Sequence, residues 1–246
     1  MNDTELQPVS LGVTEGTGTT GTAADLEETP LEVASSGILL VLSGPSGIGK
    51  TSLVNAMRKN DPNIAYARSV TTREPRKGTE EHYDFVSREE FLRMVERDEF
   101  IQWIHPSFDE FYGTPRAPVE AALANGQDLV FDYIPEGYLN LRRYYPLQTV
   151  GVFVMAPSVA EMRRRLRKRG TEFGDELVHR QRMAERDFDF VPMHEYHVIN
   201  DDFDRTLRII EAIRLAEKAR VQRQPGVTEK YAQHSVKTLL RYNDPA

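Results

Sequence analysis

The run Ile38-Leu39-Leu40-Val41-Leu42, leading into Gly44-Pro45-Ser46-Gly47-Ile48-Gly49-Lys50-Thr51, constrains this chain more than any other stretch. Five consecutive apolar residues predict a strand buried on both faces, the habit of a parallel sheet. Gly-x-x-x-x-Gly-Lys-Thr is the pattern of a phosphate-binding loop, and here it opens a predicted helix from Ser52 to about Lys59. A polyphosphate needs backbone N–H groups turned inward, which glycine permits, and it gains from the positive end of the helix that follows. In that arrangement Lys50 reaches the outer phosphates and the Thr51 hydroxyl ligates Mg²⁺. Residues 44 to 52, Ser52 included, are therefore the predicted nucleotide-binding loop. The strand before it and the helix after it set this match apart from a chance glycine-rich turn. The chain is expected to bind a nucleoside triphosphate.

Charge divides the chain sharply. No Lys or Arg precedes Lys50, while Asp3, Glu5, Glu15, Asp25, Glu27, Glu28 and Glu32 crowd the first 36 residues. The 38 acids less these seven match the 31 bases, so the net charge of −7 belongs to this segment. Its Thr- and Gly-rich composition has no helical or strand period and too little apolar surface to offset the entropy of ordering. Residues 1–36 are expected to be a disordered acidic tail. The neutral remainder gives no electrostatic case for a nucleic-acid partner. With no cysteine, disulfides, thiol catalysis and Cys-ligated zinc are excluded. No apolar run approaches a membrane span and the acidic start is unlike a signal peptide, so a cytoplasmic protein is expected.

Further on, Ile64 to Val70 reads as a strand leading into a loop marked by Pro75 and Gly78, and His82 to Val86 reads as a short strand. Ser87 with Glu90, and Ser158 with Glu161, have capping-box spacing and each opens a predicted helix. Phe100 to Ile104 reads as a strand, and Thr114 is the expected N-cap of a helix with Pro115 at its first position. Asp128 to Tyr133, Thr149 to Met155 and His197 to Asn200 read as further core strands, with a long helix from Phe203 to about Arg220. A last short helix is expected within Thr228 to Tyr242. Strands alternating with helices after a phosphate loop predict an α/β fold of the P-loop NTPase kind, a parallel sheet with helices on both faces.

Taken together, GPSGIGKT, Thr71-Thr72-Arg73-x-Pro75-Arg76, Tyr83, and Phe111-Tyr112-Gly113-Thr114 form an ordered set. Ala156-Pro157-Ser158, Arg165-x-x-x-Arg169-Gly170 and Ile199-Asn200-Asp201-Asp202 extend it. This set resembles the guanylate kinase family of nucleoside monophosphate kinases over about residues 38 to 217. The resemblance implies a kinase domain at 37–220, with an acceptor-binding subdomain at about 69–114, a lid at about 162–182, and a C-terminal extension at 221–246. It also implies ATP as phosphoryl donor, Mg²⁺, and a small nucleotide as acceptor. Arg73 and Arg76 are expected on the acceptor phosphate, where forked guanidinium groups suit a dianion. Tyr83 and Tyr112 are expected to donate hydroxyls to the same phosphate, with Ser69, Gln102, Gly113, Thr114 and Asp132 completing the acceptor site. Arg165 and Arg169 are implied lid residues around the transferring group. Arg180 and Arg182 compete for the third lid position, and Asn200 is implied beside the adenine.

Guanine presents two adjacent donors, N1–H and the 2-amino group, and the family meets them with carboxylates. Here the corresponding positions read Gln102 and Ile134, and Glu136 replaces a glutamine. Asp109 or Glu110, in a loop one residue longer, is a possible substitute. A carboxamide offers one acceptor and one donor, so the change is expected to weaken discrimination for guanine by about 10²–10⁴-fold and to make GMP a poor acceptor. Three readings therefore stand: a GMP kinase, a kinase of the same build for another nucleotide or phosphorylated small molecule, and a non-catalytic interaction module. The intact Lys50, Thr51 and phosphate arginines argue against the last.

Overall fold

Ile38 N–H donates to the Asp128 carboxylate at 3.2 Å, so the first core strand starts hydrogen-bonded to the lead-in of its neighbour. The computed structural model describes residues 36–75, 83–107, 110–168, 182–224 and 226–227. Of the expected tail only Ser36 falls among them, and the expected helix within 228–242 lies outside.

Strand β1 (Leu39–Ser43) runs into the phosphate loop and helix α1 (Lys50–Asn60). It is flanked by β6 (Leu129–Asp132) and β7 (Thr149–Met155), and β8 (Tyr196–Ile199) lies beyond β7. The order is β6-β1-β7-β8 and every pairing is parallel. Alternation along the apolar run explains the two layers. Ile38, Leu40 and Leu42 enter one cluster with Leu53, Met57 and Ile210, while Leu39 and Val41 enter another with Val119, Tyr138 and Leu141. The first face is covered by α1 and α6 (Phe203–Lys218), the second by α3 (Arg116–Ala124) and α4 (Pro135–Tyr144). The sheet is thus buried on both sides, as the uninterrupted apolar run predicted.

A second sheet has the order β3-β2-β5-β4, built from β2 (Ser69–Thr71), β3 (Tyr83–Phe85), β4 (Phe100–Ser107) and β5 (Glu110–Pro115). It packs Phe91 of α2 (Arg88–Glu96) against Val70, Phe100 and Phe111. Ser87 and Ser158 accept the N–H of Glu90 and Glu161, each at 3.1 Å. Each glutamate side chain turns to nearby arginines, so only half of each capping box forms.

Three expectations change. Ile64 to Val70 is a single bridge at Ala65 followed by the short β2. Thr114 is not a helix cap: it belongs to β5, its hydroxyl is engaged inside the protein, and Pro115 takes the cap position without a side-chain bond. The helix α4 and a 3₁₀ turn at Phe188–Met193 were not foreseen. Helix α5 (Val159–Lys168) enters the expected lid, while 169–181 lie outside the described residues. Val221–Arg223, the start of the expected extension, is tied down: Arg223 Nε donates to the Leu147 carbonyl at 2.5 Å, and its guanidinium pairs with buried Glu217.

Candidate active site

At the C-terminal end of β1 the chain turns through Gly44 at φ 125° and Gly49 at φ 100°. A side chain at Gly44 would stand 2.5 Å from the Val154 carbonyl, and one at Gly49 2.8 Å from the Asn200 amide. Both sign and space therefore require glycine. Ile48 is buried and anchors the loop, and its carbonyl accepts Asn200 Nδ2 at 2.7 Å. Asn200, expected beside the adenine, thus braces the phosphate loop from behind. Arg165 Nη1 donates to the Asn200 carbonyl at 3.0 Å, and its Nε to Glu161 at 2.7 Å. Pro45, Ser46 and Gly47 form the loop's outer turn, and Ser52 is exposed on α1. Lys50 Nζ donates to the carbonyls of Gly44 at 2.5 Å and Pro45 at 2.9 Å, which holds the ammonium over the loop.

Thr51 Oγ1 donates to Asp132 Oδ2 at 2.5 Å. Asp132 was expected on the acceptor. Because β6 pairs with β1, its last residue arrives at the phosphate loop. Open parallel sheets place their sites at the carboxyl ends of the strands, and an Asp ending the strand beside the loop strand was the available signal. A hydroxyl and a carboxylate are hard oxygen donors, the kind that hold Mg²⁺ with much of its water retained. The pair fits that ion.

Asp187, missed in the sequence, sits buried beside this loop. Burial pushes its carboxyl up to about 6, the Glu136 charge adds to the effect, and Lys50 opposes it. Ser43 Oγ meets His194 Nε2, while Nδ1 contacts the Phe190 carbonyl at 2.8 Å. An N–H at Nδ1 donates to that carbonyl and leaves Nε2 to accept from Ser43. Burial holds the imidazole below its usual range, in favour of this neutral form.

On the second sheet, Ser69 pairs with Tyr83 in the β2–β3 register, and Gly113 with Val70. The Arg73 guanidinium lies 5.0 Å from the Tyr83 ring centroid, and the Tyr83 and Tyr112 rings meet edge-on at 6.1 Å. Arg73, Tyr83 and Tyr112 thus form one group. Tyr112 Oη donates to Glu110 at 2.7 Å, so Glu110 lies at the tyrosine end of the cleft. Desolvation, then Glu110, raise the Tyr112 phenol well above its ordinary value. Arg76, Arg169, Arg180 and Asp109 fall outside the described residues, and Arg182 is exposed at the start of the helical stretch 182–187.

Gln102 Nε2 donates to Thr114 Oγ1 at 3.0 Å, and Thr114 Oγ1 lies 2.5 Å from Tyr133 Oη. Tyr133 follows β6, so its hydroxyl joins the two sheets. Burial pushes this phenol far upward, with the hydrogen bonds to Thr114 and Gln102 opposing.

The guanylate kinase family profile matches residues 36–217. The chain belongs to the guanylate kinase family. It is 38% identical over 208 residues to a guanylate kinase of Caldanaerobacter subterraneus subsp. tengcongensis, covering 84% of this chain and 100% of that protein. It is 40% identical over 201 residues to one of Paramagnetospirillum magneticum, covering 80% and 92%. The crystal structure of guanylate kinase from Anaplasma phagocytophilum superposes with a TM-score of 0.69 at 31% identity, covering 81% and 96%. Family membership makes the chain a P-loop phosphotransferase of the nucleoside monophosphate kinase class, and the interaction-module reading is set aside. Among the described residues, no helix is long and apolar enough to cross a membrane.

Proposed function

We propose that this guanylate kinase family member transfers the γ-phosphoryl group of ATP to the phosphate of GMP, with Mg²⁺, in the cytoplasm. The observation that supports the reading is the Lys50–Thr51–Asp132 group at the phosphate loop, in a chain whose second sheet carries a separate Arg73–Tyr83–Tyr112 group suited to an acceptor phosphate. The name shared by the relatives favours GMP over the poor acceptance expected from Gln102 and Ile134.

An acceptor phosphate oxygen attacks the γ-phosphorus in line, one P–O bond forms and the bond to ADP breaks, with no covalent enzyme intermediate. Lys50 neutralises charge spread over the transferring group, Arg73 with Arg76 holds the acceptor phosphate, and Arg165 and Arg169 close over it with Arg180 or Arg182. Thr51 and Asp132 would hold Mg²⁺, which supplies charge neutralisation across the phosphates. Closure excludes water, so ATP is not hydrolysed. A coupled ADP-release assay with ATP, Mg²⁺ and GMP tests the reading, and GMP-dependent turnover is expected. ADP release that does not depend on any nucleoside monophosphate would sink it.

A further inference from the structure

Gln102, Thr114 and Tyr133 form a cluster of neutral polar groups at the seam between the two sheets. Hydrogen counting defines what it lacks. Gln102 Nε2 gives one hydrogen to Thr114 Oγ1, and the Gln102 side chain also reaches the Tyr133 hydroxyl. Thr114 and Tyr133 own two hydroxyl hydrogens and share one between their oxygens, so one O–H remains to donate outward, whichever residue carries it. Gln102 is only 6% exposed, and its Oε1 has no hydrogen-bond partner among the described residues. An unpaired buried amide oxygen costs roughly 1–3 kcal/mol. A ligand edge that brings one donor and one acceptor would complete the cluster.

No described carboxylate is hydrogen-bonded to it. Asp132 accepts from Thr51, Glu110 accepts from Tyr112, and position 134 is an isoleucine. The N1–H and 6-oxo group of a purine supply the missing donor and acceptor side by side. The 2-amino group is a further donor, and the second polar atom of Gln102 is itself a donor already committed to Thr114. Resting on the reading of the acceptor as a 6-oxopurine nucleotide, we propose that Gln102, Thr114 and Tyr133 read the N1–H/6-oxo edge and ignore the 2-amino group, so that IMP is phosphorylated about as well as GMP. With the base held so that position 1 faces Gln102 Oε1, as the proposal requires, adenine brings an acceptor at position 1 and a donor at position 6 and meets Oε1 acceptor to acceptor.

The test is kcat/KM for GMP, IMP and AMP with ATP and Mg²⁺ on the full chain, with calorimetric binding of GMP and IMP as a second readout. GMP and IMP are expected within about tenfold of each other in both measurements, with AMP lower by about 10² or more. Gln102→Glu restores an acceptor-only group facing both donors, and is expected to raise the GMP-to-IMP ratio about tenfold or more. A parent preference for GMP over IMP above about 10² overturns the proposal and points to another acceptor, such as Asp109, on the 2-amino group. AMP turnover equal to that of IMP, or an unchanged ratio in Gln102→Glu, overturns it as well. If neither GMP nor IMP is phosphorylated, the guanylate kinase reading itself falls, a result distinct from selective use of GMP.

Discussion

Two buried polar clusters lie at opposite ends of this protein and are built on opposite principles. Beside the N-terminal ends of β1 and β6, Asp128 is 2% exposed and accepts Arg214 Nη1 at 2.6 Å, Lys218 Nζ at 3.0 Å and the Ile38 N–H. Arg214 spends its other nitrogens on Asp61 at 2.9 Å and Glu211 at 3.0 Å. This cluster consists of full charges that answer one another across three elements. The cluster at the seam of the sheets holds no charge, and it leaves Gln102 Oε1 unanswered. Asp128 is buried because two cations and an N–H answer it, and that end serves the fold, although Glu211 Oε1 there is unpaired as well. At the seam the unpaired atom belongs to a neutral amide, and that is the end proposed to meet a ligand.

Breaking the charged cluster gives the largest effect. Arg214→Met leaves Asp128 buried with one cation fewer, and a loss of about 3–5 kcal/mol is expected, or roughly 10 °C in calorimetric Tm. Turnover at 20 °C should change little, because no Arg214 atom approaches the cleft. A stable variant with impaired kinetics would reverse the roles assigned to the two clusters.

The converse variant is Lys50→Ala. It is expected to lower kcat about 10²-fold or more with Tm nearly unmoved, since charge at the transition state is lost and no core contact is. Equal turnover by variant and parent would remove Lys50 from the mechanism.

Asp187 sharpens the contrast, because it is a buried acid near the site whose charge is poorly answered. Its carboxyl is raised to about 6. The folded state therefore holds the proton above the ordinary aspartate value of about 4, and stability falls as pH rises from about 4 to 6, by about 3 kcal/mol in total. Asp187→Asn should flatten that part of the pH profile and be more stable at pH 7. Denaturant midpoints for the nucleotide-free protein across pH 4–7 decide it, and an identical slope in both proteins would refute the burial argument. The smallest effect is Tyr133→Phe. Thr114 keeps its bond from Gln102, so about 0.5–1.5 kcal/mol is expected from one lost hydrogen bond. A loss as large as that of Arg214→Met would make the neutral cluster a structural element as well.

The sequence alone determined the parts whose information is local. Ile38 to Thr51 carries strand burial and loop chemistry in consecutive residues, because an all-apolar run must be covered on both faces and a curled anion-binding backbone needs glycine at set spacing. Ser87 and Ser158 likewise announce the helices that begin at the next residue. The tertiary structure alone decided the long-range partnerships. Asp132 reads as an acceptor residue until strand pairing brings it to Thr51, 81 positions away. Thr114 reads as a helix cap until β4 lies beside it and Tyr133 reaches it from the other sheet. Asp187 carries no local signal, since its proton affinity depends on burial next to Lys50 and Glu136. Hydrogen bonds and charge effects act through space and are set by strand order and packing, which the pattern of one segment does not encode.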